Sequence, residues 1–138
     1  MPQTIVRGIK VLLDEANQQI ETLTVAEARA AVERGEALFI DLRDPREIVR
    51  EGRIPCAFSC TRGMLEFWID PASPYAKAIF QQDRKFIFHC AGGWRSALAA
   101  KTAQDMGLKP VAHLDGGFKA WRDAGEAVEQ ASPERSHS

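Results

Sequence analysis

Cys90 is the residue whose type and setting most clearly offer chemistry. It lies in Phe88-His89-Cys90-Ala91-Gly92-Gly93-Trp94-Arg95-Ser96, first off an apolar run and just ahead of a helical pattern expected over about residues 96–106. The thiolate of a cysteine is a nucleophile that can carry a group covalently. Gly92 and Gly93 let the backbone after it curl tightly, since neither has a Cβ to clash at positive φ. A chain curled in this way turns consecutive N–H groups inward as an anion-binding nest. The coming helix adds partial positive charge at its N-terminus. Both effects favour a sulfur anion at Cys90. A cysteine at a strand end is, by itself, most often a small buried apolar side chain. The paired glycines, Arg95 five positions on and the immediate helix start turn the reading towards a reactive sulfur. With the main chain facing inward, the side chain of Trp94 is expected to point outward.

The other residues that could take part have plainer alternatives. Arg62 follows a short third strand and could draw an anionic substrate to the rim of the site; a solvated surface arginine is the simpler reading. Phe67 or Trp68 could wall the entrance, within an apolar run that core packing otherwise explains. His89 and His113 each sit on a strand, where a lone histidine is more often a satisfied core group than a base, and neither is assigned to catalysis. Cys56 could resolve an oxidised Cys90, with inert packing as the simpler fate. Cys56 and Cys60 are four apart, and no Cys or His pair elsewhere completes a zinc site at the usual spacing. No metal and no organic cofactor are expected.

The elements that must hold this loop alternate along the chain. Ile5, Ile9, Leu12, Leu13, Ala16 and Ile20 recur at helical spacing, an amphipathic helix expected to pack on the domain or, alternatively, on a second copy. Thr24 and Glu27 form a capping box that starts a helix to about Arg34, ended by Gly35. Residues 37–42 read as a buried strand; Asp44-Pro45-Arg46-Glu47 then gives a cap, a first-turn proline and an acidic residue. Residues 57–60 suggest a short strand, and Ser73-Pro74 a helix to about Gln82. Further strands are expected at 85–89 and 111–114, the last followed by a Gly116-Gly117 turn into a helix through Trp121. Apolar strands separated by helices predict an α/β fold, a small parallel sheet of about five strands flanked by helices on both faces. In such sheets ligands collect beyond the carboxyl ends of the strands. Asp41-Leu42-Arg43, the loop after Cys60 and His89-Cys90-Ala91 should converge there.

Composition narrows the function classes. At 138 residues there is room for one domain with a real core. Residues 1–20 read as a helical extension, 21–128 as the domain and 129–138 as a frayed polar tail. A net charge of -1 argues against nucleic-acid binding. No apolar run is long enough to span a bilayer, and residues 5–13 carry Arg7 and Lys10 within their apolar part and lack a small-residue cleavage site, unlike a signal peptide. A cytoplasmic location is the expectation, and the odd count of 3 cysteines agrees with it.

With those residues in view, the chain from about 20 to 128 resembles the rhodanese family of sulfurtransferases. The six-residue loop Cys90-Ala91-Gly92-Gly93-Trp94-Arg95 is similar to that family's active-site loop. Ile40-Asp41-Leu42-Arg43-Asp44-Pro45-Arg46-Glu47 and Gly52-Arg53-Ile54-Pro55-Cys56-Ala57 are similar to its first signature, and Leu114-Asp115-Gly116-Gly117-Phe118-Lys119-Ala120-Trp121 to its last. Arg53 stands where many members have histidine, and Cys56 where many have glycine. The resemblance implies that Cys90 accepts sulfane sulfur from a donor such as thiosulfate, holds it as a persulfide and passes it to a thiol or cyanide. It implies that backbone N–H groups of Ala91, Gly92, Gly93, Trp94 and Arg95 bind the outer sulfur, and that Asp41 and Arg43 are architectural. Three alternatives stay open: a sulfur-relay carrier with a protein donor or acceptor, a non-catalytic binding module, and a phosphatase or arsenate reductase of the same fold. The last uses five residues between cysteine and arginine; here there are four, a ring suited to one sulfur atom. A monomer or a homodimer fits equally.

Overall fold

The computed structural model of the chain describes residues 2–131. In chain order it contains α1 (Ile9–Gln19), β1 (Glu21–Leu23), α2 (Val25–Glu33), β2 (Ala37–Asp41), α3 (Pro45–Glu51), β3 (Phe58–Ser59), α4 (Leu65–Ile69), β4 (Lys85–His89), α5 (Trp94–Met106), β5 (Val111–Leu114) and α6 (Gly117–Asp123). The strands form one sheet in the order β1-β5-β4-β2-β3, and every pairing is parallel. β4 and β2 run side by side from Ala37 opposite Lys85 to Asp41 opposite His89. This is the expected parallel α/β sheet.

Alternation along the strands sorts the core into two layers, because successive side chains leave opposite faces. Leu38 and Ile40 of β2 and Phe86 and Phe88 of β4 meet Leu13 and Ala16 of α1 and a row of alanines on α5 (Ala97, Ala100, Ala103). Ala37, Phe39, Ile87, Ala112 and Leu114 meet Ala28 of α2 and Phe118 and Trp121 of α6 on the other face. Both faces are covered, which explains why β2 and β5 are buried at every residue.

The predicted caps are made. Thr24 and Glu27 close a reciprocal capping box on α2, and Asp44 and Glu47 close another on α3 with Pro45 at its first turn. α1 begins at Ile9, later than the apolar stripe suggests, and Ile5 is exposed. It packs on the domain against α5, with Leu13 and Ala16 buried. Ile20, the end of the stripe, leads straight into β1, a strand whose three residues carry no alternation to mark it.

The helix expected from Ser73 to about Gln82 does not form. Ser73 Oγ accepts the Tyr75 N–H at 3.0 Å, and the Ala76 N–H returns to the Ser73 carbonyl. The serine and proline therefore make a turn, and only a single 3-10 turn follows at Ala78–Gln81. A serine-proline pair caps helices and turns alike, and here Lys77 is drawn back to the Trp68 carbonyl. The end of the domain also differs from expectation. Glu129, read as the start of a frayed tail, exchanges two backbone hydrogen bonds with Arg53 and pairs with its guanidinium at 2.7 Å. The rest of that tail from residue 132 lies outside the described residues.

Candidate active site

Three chain segments leave the carboxyl edge of the sheet together. The Leu42 N–H donates to the His89 carbonyl, the Cys60 N–H to Asp41 and the Arg62 N–H to Leu42, extending the ladder past the ends of β2 and β4. The predicted convergence of Asp41-Leu42-Arg43, the segment after Cys60 and His89-Cys90-Ala91 is therefore present. Cys90 is the first residue beyond β4, and its exposure is only 1%.

The loop after it is shaped by hydrogen bonds on two sides. On the inner side, the Gly93 N–H points at Cys90 Sγ from 3.2 Å. Gly93 has φ 114, in the left-handed region that a side chain would strain, and it caps α5. On the outer side, the carbonyls of Cys90 and Ala91 accept the first N–H donors of α6, from Phe118 at 2.8 Å and Lys119 at 3.1 Å. With those carbonyls held by α6 on one side, the Gly93 N–H faces the sulfur on the other. The close approach requires Gly117: a Cβ there would sit 2.6 Å from the Cys90 carbonyl oxygen and 2.8 Å from that of Ala91. Gly116-Gly117, a turn in the sequence reading, is thus the back wall of the site.

Arg95 is anchored rather than free. It donates to both carboxylate oxygens of Glu47 on α3, at 2.8 and 2.9 Å, a bidentate pair. Hydrogen bonding to Arg95 holds the Glu47 carboxyl below its ordinary range, and the same bond raises Arg95. α5 starts at Trp94, two residues before the sequence suggested, which puts Arg95 inside its first turn. The Trp94 side chain is 60% exposed, outward as expected, and Ala91 and Gly92 are also exposed. Arg62 opens a short 3-10 turn after β3 at the same edge of the sheet and pairs with Glu66 at 3.0 Å. Its charge is therefore already partly answered.

Asp41 and Arg43 have the architectural placement anticipated for them. Both are buried, with two hydrogen bonds between side chains at 3.0 and 2.8 Å. Arg43 also donates to the Gly52 carbonyl and lies 4.1 Å from the centre of the Phe118 ring, tying β2, α3 and α6 together beneath the loop. Burial pushes the Asp41 carboxyl up, but His89 and Arg43 outweigh this and leave it below its usual value. Burial lowers His89, which packs edge-on against Phe39 at 5.8 Å. Cys56 is exposed, whereas Cys60 is buried and its thiol is pushed up to about 12 by burial. Among the described residues no cluster of His, Cys, Asp and Glu is arranged to hold a metal, and no helix is long and apolar enough to cross a membrane.

Two residues at the sulfur escaped the sequence reading. Ser96 Oγ is 3.7 Å from Cys90 Sγ and 3.1 Å from His113 Nδ1, and its hydroxyl can also donate to the Gly93 carbonyl at 3.3 Å. Ser96 follows Arg95 directly, so its proximity was legible in principle. His113 was not, because it reaches Ser96 only once β5 lies under α5.

A parallel sheet with a strand-loop-helix cradle around a buried cysteine defines the class. The chain belongs to the rhodanese-like family, whose domain model matches residues 24–124. A solved structure from Rhodopseudomonas palustris CGA009, RPA3614, shares 71% identity over 94% of this chain and 99% of its own, with a TM-score of 0.90; it is described as a protein of unknown function and "Possible Tyrosine Phosphatase". Thiosulfate sulfurtransferase from Pseudomonas aeruginosa is 26% identical with a TM-score of 0.73, covering 90% of this chain but 23% of that longer one. A Bacillus subtilis (strain 168) protein, "Putative sulfurtransferase YtwF", is 29% identical over 104 residues, 75% of this chain and 91% of its own.

Proposed function

We propose that the chain is a sulfurtransferase that carries sulfane sulfur on Cys90. The observation that carries this reading is the tight cradle: a backbone N–H at 3.2 Å from Sγ, in a loop whose arginine is tethered to Glu47. In the first half-reaction the Cys90 thiolate attacks the outer sulfur of a donor such as thiosulfate. The donor's S–S bond breaks, sulfite leaves with the electron pair, and Cys90 holds a persulfide. In the second, a thiol or cyanide attacks the outer sulfur and Cys90 leaves as thiolate. Splitting the transfer in two makes each displacement easier. The N–H groups of the loop from Ala91 to Arg95 stabilise the negative outer sulfur, as oriented donors do for developing charge. Arg62, at the rim, adds a weak pull on an anionic donor. A protein persulfide could serve as donor by the same chemistry. The names of the Bacillus and Pseudomonas relatives agree with sulfur transfer.

Phosphate-ester hydrolysis is the second reading, favoured by the description of the Rhodopseudomonas structure. It fits less well. Four residues between Cys90 and Arg95 leave a small ring for a tetrahedral group, and both guanidinium arms that would grip a phosphate are engaged by Glu47. One experiment separates the two. After incubation with thiosulfate, intact mass should show one added sulfur, and cyanide should yield thiocyanate; Cys90→Ser should abolish both. Absence of both in the wild-type protein, with turnover of para-nitrophenyl phosphate that Cys90→Ser removes, would overturn the sulfurtransferase reading.

A further inference from the structure

Side chains on β5 alternate between the two layers: Val111 belongs to the α5 face, and Ala112 and Leu114 to the α6 face. His113 therefore rises from the sheet towards α5, where its Nδ1 meets Ser96 Oγ at 3.1 Å. Ser96 Oγ in turn accepts from the Cys90 thiol at 3.7 Å, a hydrogen-bonding distance for sulfur. All three residues are buried, and His113 Nε2 has no hydrogen-bond partner among the described residues. We propose that His113 is a positioning residue for Cys90, acting through Ser96. The proposal rests on the sulfurtransferase reading only for its role in turnover.

Proton count sets the direction of these bonds. A serine hydroxyl has one proton: the Gly93 carbonyl or His113 Nδ1 can accept it, and the cysteine sulfur, which donates to Ser96 Oγ as a thiol, can accept it once it is a thiolate. If His113 Nδ1 were a bare acceptor, it would take that proton and turn it away from the sulfur. If Nδ1 carries hydrogen, it donates to Ser96 Oγ, and the hydroxyl proton is left for the sulfur or for Gly93. Burial lowers His113, so the ring stays neutral and holds one proton. A proton on Nδ1 leaves the unpartnered Nε2 as a bare acceptor, which is less costly in a buried site than the unpaired N–H donor of the other neutral tautomer. When a thiol attacks the persulfide, the new S–S bond forms at the outer sulfur. The old S–S bond breaks, and its electron pair is left on Cys90 Sγ. At that moment the Ser96 hydroxyl swings its hydrogen bond from the Gly93 carbonyl to the thiolate, with His113 securing its oxygen. No proton is transferred.

The test compares Ser96→Ala, His113→Leu, His113→Asn and the Ser96→Ala/His113→Leu pair. Asparagine can offer an N–H near the place of Nδ1; leucine cannot. Hydrogen bonds to ionised groups set the scale at about tenfold. Ser96→Ala and His113→Leu should each lower the alkylation rate of Cys90 by iodoacetamide, read on the Cys90 peptide by mass spectrometry, by about tenfold. His113→Asn should recover most of the loss, and the double variant should be no slower than Ser96→Ala. In turnover, kcat should fall while KM for thiosulfate stays within about twofold. An alkylation rate in His113→Leu equal to wild type, failure of His113→Asn to rescue, or additive losses in the double variant would overturn the proposal. Thermal melts identify a variant that has lost its fold, in which case the rescue by His113→Asn decides. If wild-type protein takes up no sulfur, the sulfurtransferase reading falls, while the alkylation series still decides the role of His113.

Discussion

A guanidinium buried as fully as that of Arg43 must have its charge answered on the spot, and Asp41 answers it with two hydrogen bonds. Removing one partner of a buried pair leaves an uncompensated ion, at a cost of about 3–5 kcal/mol. Asp41→Asn should therefore destabilise the domain by roughly that amount in urea unfolding. The carboxyl also gives stability a pH dependence. Its folded value is depressed, so its contribution is complete above its unfolded value of about 4 and is lost as pH falls through the folded value. In the wild type, unfolding free energy should drop in that acid range; in Asp41→Asn the drop should be shallower. Equal slopes would mean that another carboxylate governs acid unfolding. Asp41 and Arg43 were legible as a local signature. His113 was not, since its partner Ser96 lies 17 residues away and only the register of β5 brings them together.

Elements rather than single side chains set the shape of the sulfur cradle. α6 holds two carbonyls of the Cys90 loop through its first N–H groups, and Gly117 makes that approach possible. Gly117→Ala combines φ 62 with a Cβ driven into two backbone oxygens, so the loop must shift. We expect a stability loss of about 1–3 kcal/mol and at least about a tenfold fall in sulfur uptake, since small displacements at a reacting centre are costly. Gly35→Ala is the control: its φ is 76, but a Cβ there meets nothing within 4 Å, so stability falls by about 1 kcal/mol and sulfur uptake is unchanged. If both variants behaved alike, the contact with α6 would not be what shapes the loop. The caps of α2 and α3 could be read from sequence because a capping box is a local device, complete within four residues. The turn at Ser73-Pro74 could not, because the same two residues start helices and turns, and the pull of Trp68 on Lys77 decides between them. β1 was missed for a related reason: three residues are too few to show a period, and its pairing with β5 is tertiary.

At the scale of the whole molecule, the core extends beyond the part that matches the family model. That match begins at residue 24, yet Leu13 and Ala16 of α1 are buried in the same layer as Phe86, Phe88 and the alanines of α5. Leu13→Ala should then cost about 2–4 kcal/mol, as for a core leucine, measured by denaturant unfolding. A loss below about 0.5 kcal/mol, the usual effect of a surface substitution, would make α1 an accessory. The order of the strands carries a further consequence, in time rather than in space. On the ribosome β1 is made well before its neighbour in the sheet, β5, where Ala112 lies opposite Glu21. The strand and the helix before it must wait, unpaired, until α5 and β5 have emerged. α6, which backs the sulfur cradle, is made later still. Non-local pairing of this kind slows folding and leaves apolar surface exposed meanwhile. A nascent chain stalled before Gly117 would carry Cys90 without the wall that shapes its loop, so the site is completed only after α6 has been made.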